Sequence, residues 1–181
     1  CLSFGKRNSV DQALHKMVNS GWITRLARGV FALSEKLRRL VSVEEVAEIK
    51  AKAFGKTLLS HGATLAFEMG LTKSNPDSHV FLVTGAGSAF HYGSKRIILK
   101  SASPNKARLG ESKAGKLLRA VWHAVTRPDS SGVDLSDNTK LVPVFTTLSP
   151  LDFREINKFS HCIPAWLKES FEPFIPLLLR R

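Results

Sequence analysis

The stretch NSVDQALHKMVNSGWITRLARGVF, residues 8–31, decides the fold class. Ser9 is followed three residues later by Gln12, the capping-box pattern of a helix start, so the sequence predicts a helix that begins at Ser9. Apolar residues then recur at the spacing of one buried helical stripe, and Gly21 supplies a left-handed stop. The stripe consists of Val10, Ala13, Leu14, Met17 and Val18.

Two short β-rich runs follow this helix. Residues 22–26 and 30–33 flank the turn Ala27-Arg28-Gly29, which predicts a hairpin with a basic tip. A helix that leads directly into such a hairpin is the second half of a winged helix-turn-helix. We therefore expect a partial winged helix, truncated at its N-terminal side, over residues 1–40.

The winged-helix interpretation carries a DNA-binding prediction. The first residues of a recognition helix meet base edges in the major groove, where arginine reads guanine and asparagine or glutamine reads adenine. We predict DNA contacts at Lys6, Arg7, Asn8, Ser9, Gln12, His15, Lys16, Arg25 and Arg28. The alternative is an amphipathic surface helix whose charged face meets only solvent.

Charge supports a polyanionic partner. The 181 residues include 27 Lys and Arg against 15 Asp and Glu, a net charge of +12, and the basic excess is densest within residues 1–40. No apolar run is long enough to span a bilayer, and the two cysteines, Cys1 and Cys162, form no disulfide framework. We expect a cytoplasmic protein without a membrane partner, and the start at Cys1 leads us to expect missing upstream sequence.

Residues 41–181 predict a mixed domain, so the fold class is α+β, with a small antiparallel sheet flanked by helices. Ser42 and Glu45 form a second capping-box pattern, and an apolar stripe predicts a helix over 112–125. Three strand-length runs, 80–84, 90–92 and 96–100, predict an antiparallel meander. The polar stretch 127–139 is the best internal linker.

The segment from Asn8 to Phe31 resembles the N-terminal winged helix of AbiEi-type antitoxins from abortive-infection (type IV) toxin-antitoxin systems. The matching residues are Ala13-Leu14, Gly21-Trp22-Ile23, Arg25 and Arg28-Gly29-Val30-Phe31. Part of the region 60–82 is also similar to the middle of shorter relatives of that family. The resemblance implies a DNA-binding antitoxin that represses its own operon and neutralises a cognate, nucleotidyltransferase-like toxin.

The toxin surface is expected after Ala114, because the largest apolar reserve lies there and protein interfaces favour aromatic anchors. This reserve includes Trp122, Phe153, Trp166, Phe171 and Phe174. Trp166 is the first choice for an exposed anchor. Two other functions stay open: a winged-helix transcriptional regulator without a toxin partner, and a basic RNA-associated or nucleic-acid-processing protein. The sequence leaves the oligomeric state open.

Catalytic and cofactor motifs are incomplete. The stretch Val83–Ser88 resembles the start of a dinucleotide-binding loop, but Phe90 stands where a glycine is needed. The six histidines show no metal-ligand spacing, and no nucleophile elbow occurs. We therefore predict a protein that is not an enzyme, with no catalytic residue, no metal and no cofactor.

Overall fold

Helices and short strands are interspersed along the chain, in the α+β class that the sequence predicted. The computed structural model describes residues 5–34, 41–76, 79–126 and 141–172. The strands are β1 (Ile23–Ala27), β2 (Val30–Leu33), β3 (Leu58–Ser60), β4 (Val80–Val83), β5 (Ser88–Tyr92) and β6 (Lys95–Ser101). The helices are α1 (Arg7–Asn19), α2 (Val43–Ala53), α3 (Gly62–Glu68), α4 (Pro104–Arg108), α5 (Lys113–Thr126), α6 (Leu141–Thr146), α7 (Pro150–Lys158) and α8 (Ala165–Glu169).

Helix α1 begins at Arg7, so the predicted start at Ser9 is wrong. Lys6 is the N-cap and offers no side-chain cap, and the Ser9–Gln12 capping box does not form. Gly5 has φ +139°, which is outside the helical region, and the backbone enters the helix directly after it. Ser9 therefore lies inside the first turn, where its N–H donates to the carbonyl of Lys6. The end is as predicted, with Gly21 at φ +75°.

The predicted hairpin is confirmed. Strands β1 and β2 pair antiparallel around the Arg28-Gly29 turn, in which Gly29 has φ +76°. The hairpin packs on the rest of the protein, because its buried Leu26 and Val30 share a core with Val46 of α2. The core thus includes residues from both sides of the expected domain boundary at residue 40. The division into a DNA-binding segment, 1–40, and an interaction domain, 41–181, stays a prediction.

The second sheet has the strand order β3-β4-β6-β5 and is mixed. The predicted meander is wrong, because β4 pairs parallel with β6, and β6 lies between β4 and β5. The connection from β4 to β5 must therefore pass β6, and it does so at Gly87. A Cβ atom at Gly87 would lie 2.6 Å from the carbonyl oxygen of Leu99, so only glycine fits this crossing.

Two layers of helices complete the fold. Helix α2, with the predicted Ser42–Glu45 capping box, packs Ala47 and Ala51 against Val83, Ile97 and Leu99 of the sheet. Helices α3 and α5 to α8 form the largest core. Of the predicted stripe of α5, Ala114, Leu117, Leu118 and Val121 are buried there, and Val125 packs half-buried against the same core. The predicted linker 127–139 lies outside the described residues, and no helix within the described ranges is long and apolar enough to cross a membrane.

Candidate nucleic-acid interface

One side of α1 is polar and exposed to solvent. Asn8, Ser9, Gln12 and Lys16 lie on this side, which we call the outer face, because residues four apart are neighbours on a helix. Their side chains make no hydrogen bond with any described residue. Gln12 is therefore free of the capping role that the sequence suggested, and the outer face is available to a ligand.

The opposite side of α1 is not packed in a core. The structure buries no residue of this helix, so the predicted buried stripe is wrong. Val10, Leu14 and Val18 are half-buried, whereas Ala13 and Met17 are exposed. The reason is tertiary: the side of α1 that carries Val10, Leu14 and Val18 lines an open groove.

This groove, which we call the α1 groove, has a volume of about 1130 Å³. Helix α1 forms one wall, and the hairpin, the end of α2 and strands β5 and β6 form the rest. Five of the lining side chains are basic and one, Asp11, is acidic. The basic residues are Arg7, Arg25, Arg28, Lys50 and Lys56.

Arg7 and His15 are among the residues that line the groove. Arg7 Nε is 3.8 Å from a carboxylate oxygen of Asp11, but both side chains are mostly exposed, so water screens the pair. His15 Nε2 accepts a hydrogen bond from the Asn19 amide at 3.1 Å. The predicted contact residues of α1 are therefore divided between its outer face and the groove.

The tip of the hairpin carries a cluster of cations. Lys50 Nζ donates a hydrogen bond to the carbonyl oxygen of Arg28, which ties the tip to α2. Burial lowers the pKa of Lys50, and the positive charges of Arg28 and Arg25 lower it further. No ion pair in the described part of the chain involves Arg25, Arg28 or Lys50. The cluster is thus a concentration of positive charge without a counter-ion among the residues that the structure describes.

Aromatic rings adjoin these cations. Lys50 Nζ lies 5.2 Å from the ring centroid of Phe54 and 5.7 Å from that of Phe90, and Phe54 is 67% exposed. Sequence reasoning predicted Arg25 and Arg28 but missed Lys50, Phe54 and Phe90. The run IKAKAFGK, residues 49–56, held a signal, because it interleaves lysines with an aromatic residue.

Trp166 is not the exposed anchor that the sequence predicted. Its side chain is half-buried and packs against the large helical core. Trp22 is the exposed tryptophan, at 72%. A role for Trp166 in partner binding stays a prediction, with less of the ring accessible than expected.

A second polar cluster lies between β3 and α5. Glu111 accepts hydrogen bonds from the backbone N–H and the hydroxyl of Ser60, at 2.9 Å and 2.8 Å, and from the guanidinium of Arg119. Arg119 is buried and also donates to the carbonyl of Gly110. These contacts join the end of β3 and the loop at Gly110-Glu111 to α5. Within the described residues, no group of three or more His, Cys, Asp or Glu is placed to hold a metal ion.

Comparison with known proteins gives one match. Residues 1–141 match the profile of DUF6088, a family of unknown function. No curated protein and no solved structure matches the chain.

Proposed function

The chain belongs to the DUF6088 family of unknown function, and we propose from its geometry that it binds double-stranded DNA through α1 and the β1–β2 hairpin. The observation that supports this most is the hairpin tip beside α1, where Arg25, Arg28 and Lys50 have no carboxylate partner in the described ranges. Phosphates supply the missing counter-charge. The outer face of α1 then offers Asn8 and Gln12 to base edges.

The division of labour follows from the chemistry of each surface. Cations that contact phosphates hold the protein on any duplex, whereas amide side chains discriminate among bases. Lys6, at the N-cap of α1, and Arg28, at the hairpin tip, belong to the first class. Gln12, exposed and free of hydrogen bonds to described residues, belongs to the second.

The test is a salt series on the full chain, with a labelled duplex from upstream of its own gene as the probe. Arg28→Ala should flatten the slope of log K against log salt by about 0.9, the value for one phosphate contact. Gln12→Ala should keep the slope but lose about 1–3 kcal/mol of preference at one base pair. Lys52→Ala is the matched control, because Lys52 pairs with Glu48 at 2.8 Å and does not line the α1 groove.

Two outcomes contradict the proposal. If Arg28→Ala and Lys6→Ala both keep the wild-type slope, phosphates do not contact this surface. If Lys52→Ala flattens the slope as much as Arg28→Ala, the effect reflects net charge alone and no defined interface exists.

The specific form that we propose is a cytoplasmic antitoxin that represses its own operon and neutralises a nucleotidyltransferase-like toxin. The resemblance of residues 8–31 to AbiEi-type antitoxins supports it. The test uses point variants of the full chain, because deletion of residues 1–40 would uncover Val46 and its neighbours. Lys6→Ala with Arg28→Ala should abolish repression and still rescue growth when the neighbouring gene is expressed. A regulator without a toxin would show repression and no rescue by the wild-type chain.

A further inference from the structure

The α1 groove contains features that duplex binding does not use. A duplex presents phosphates and base edges to a protein, and its base faces are stacked inside. Phe54 nevertheless exposes most of its ring beside Lys50, and the half-buried ring of Phe90 has its centroid 5.7 Å from the same ammonium nitrogen. An aromatic ring next to a phosphate-binding cation suits a ligand that offers both a phosphate and a free base face.

The hairpin wall repeats this combination. Arg25 on β1 lies directly opposite Phe31 on β2, and in an antiparallel pair such residues point to the same face. Both side chains line the groove. A cation and an aromatic ring are therefore adjacent on the hairpin as well as on α2.

The charges that line the groove favour a polyanionic chain over a small molecule. The groove has a volume of about 1130 Å³, and five basic side chains line it. Its lining includes Arg7 from the start of α1 and Lys56 from beyond the end of α2, so the cations come from several elements. Positively charged grooves with aromatic platforms are how proteins bind unpaired strands, because every base has a π-face.

We infer that the α1 groove binds an unpaired DNA strand, with phosphates at Arg25, Arg28 and Lys50 and bases stacked on Phe54 and Phe90. The inference rests on the proposed function, because Arg25 and Arg28 serve duplex DNA as well. It adds a second binding mode, in which the groove side of α1 faces a separated strand and the outer face reads the duplex. The protein then favours sites where the duplex opens.

The experiment measures fluorescence anisotropy of a labelled oligothymidine of about 12 nucleotides, a length within the roughly 4–16 that such grooves cover. Phe54→Ala should weaken binding of this strand about 5- to 100-fold and leave duplex affinity within about twofold, the stacking loss expected for one base. Trp22→Ala is the matched control, because Trp22 is equally exposed but does not line the groove. Lys50→Ala, compared with Lys52→Ala, tests the phosphate position on the same helix.

An abasic strand of the same length tests the stacking directly. It keeps every phosphate and lacks the bases, so it should bind more weakly than oligothymidine and lose nothing further in Phe54→Ala. Equal binding of the two strands, or unchanged oligothymidine affinity in Phe54→Ala, overturns the inference. If the wild-type chain binds the duplex but not oligothymidine, this inference is wrong and the proposed function is unaffected. If the wild-type chain binds neither, both proposals are wrong.

Two further probes separate other ligands. If oligouridine binds more tightly than oligothymidine, the groove is an RNA site and the assignment to DNA is wrong. If polyglutamate displaces oligothymidine as effectively as unlabelled oligothymidine does, the groove recognises acidic polypeptide, and the bases contribute nothing.

Discussion

The ion pair between Arg119 and Glu111 gives a quantitative prediction about stability. The Arg119 side chain is 1% exposed in the middle of α5, and its Nε has no hydrogen-bond partner within the described structure. Burial lowers the pKa of Arg119, and the adjacent Glu111 carboxylate opposes that shift. An arginine remains charged at neutral pH, so the fold depends on Glu111 to balance a buried cation.

Glu111→Gln removes this balance and keeps the size of the side chain. Breaking a fully buried pair by removing one partner costs about 3–5 kcal/mol. Glu111 is 36% exposed, so solvent screens part of the lost charge, and we expect a loss of about 2 kcal/mol. For a chain of this size that loss lowers the Tm by about 4–8 °C.

Arg119→Met should cost less, about 1 kcal/mol, because it removes the buried cation itself. Glu111 then keeps both hydrogen bonds from Ser60 and has Lys116 Nζ at 3.5 Å. Combining the two substitutions should cost less than their sum, since the second removes the charge that the first leaves unbalanced.

Urea unfolding of the four proteins, followed by circular dichroism, measures these free energies. The unfolding free energies of the four proteins can be compared directly if their m values are the same. The reasoning is refuted if Arg119→Met destabilises more than Glu111→Gln, because packing of the arginine stem would then outweigh its charge. Strict additivity in the double variant would contradict it equally.

Two other predictions concern the fold. The backbone N–H of Ser149 donates a hydrogen bond to the Asp152 carboxylate and lowers its pKa, and the Ser149 hydroxyl and Lys113 lower it further. The resulting stabilisation is fully present above the unfolded pKa of about 3.9, and it is lost as the pH falls through the pKa of the folded state. Asp152→Asn should reduce the decrease in Tm between about pH 5 and pH 2. If the variant loses as much Tm over this range as the wild type, Asp152 is not the group responsible for the decrease. A Cβ atom at position 115 would lie 1.8 Å from the carbonyl oxygen of Leu109, so Gly115→Ala should cost about 3 kcal/mol in urea unfolding. Gly93→Ala, with open space and φ +58°, is the control at about 1 kcal/mol, and equal losses would argue against the close approach at Gly115.

The sequence by itself determined the features that depend on neighbours within about four residues. The capping box at Ser42 forms, Gly21 ends α1, and Gly29 closes the hairpin at its predicted turn. The stripe of α5 is buried as its spacing indicated. Hydrogen bonds between a cap and the third residue of a helix, and a left-handed turn, are satisfied locally, so the residue order suffices to predict them.

For the candidate site, the sequence predicted the outer face of α1 and the hairpin tip, including Arg25 and Arg28. The run 49–56 marks Lys50 as part of a basic and aromatic segment, but its position beside Arg28, 22 residues earlier, depends on the packing of α2 on the hairpin. The sequence holds no comparable signal for Phe90, which joins the site through the packing of β5 on the hairpin. The sequence also predicted an exposed Trp166, which is half-buried in the structure. The local pattern around an aromatic residue is the same whether or not a distant part of the chain covers it.

Only the tertiary structure decided which surfaces are covered and which strands are neighbours. The pattern of α1 is that of a packed helix, yet its apolar side lines a groove, because the described elements opposite it leave a space. The runs that form β4, β5 and β6 are equally compatible with a meander, and the parallel pairing of β4 with β6 depends on a crossing that Gly87 permits. The spacing of apolar residues indicates which side of a segment is apolar, but contacts between residues distant in sequence determine which segment covers that side.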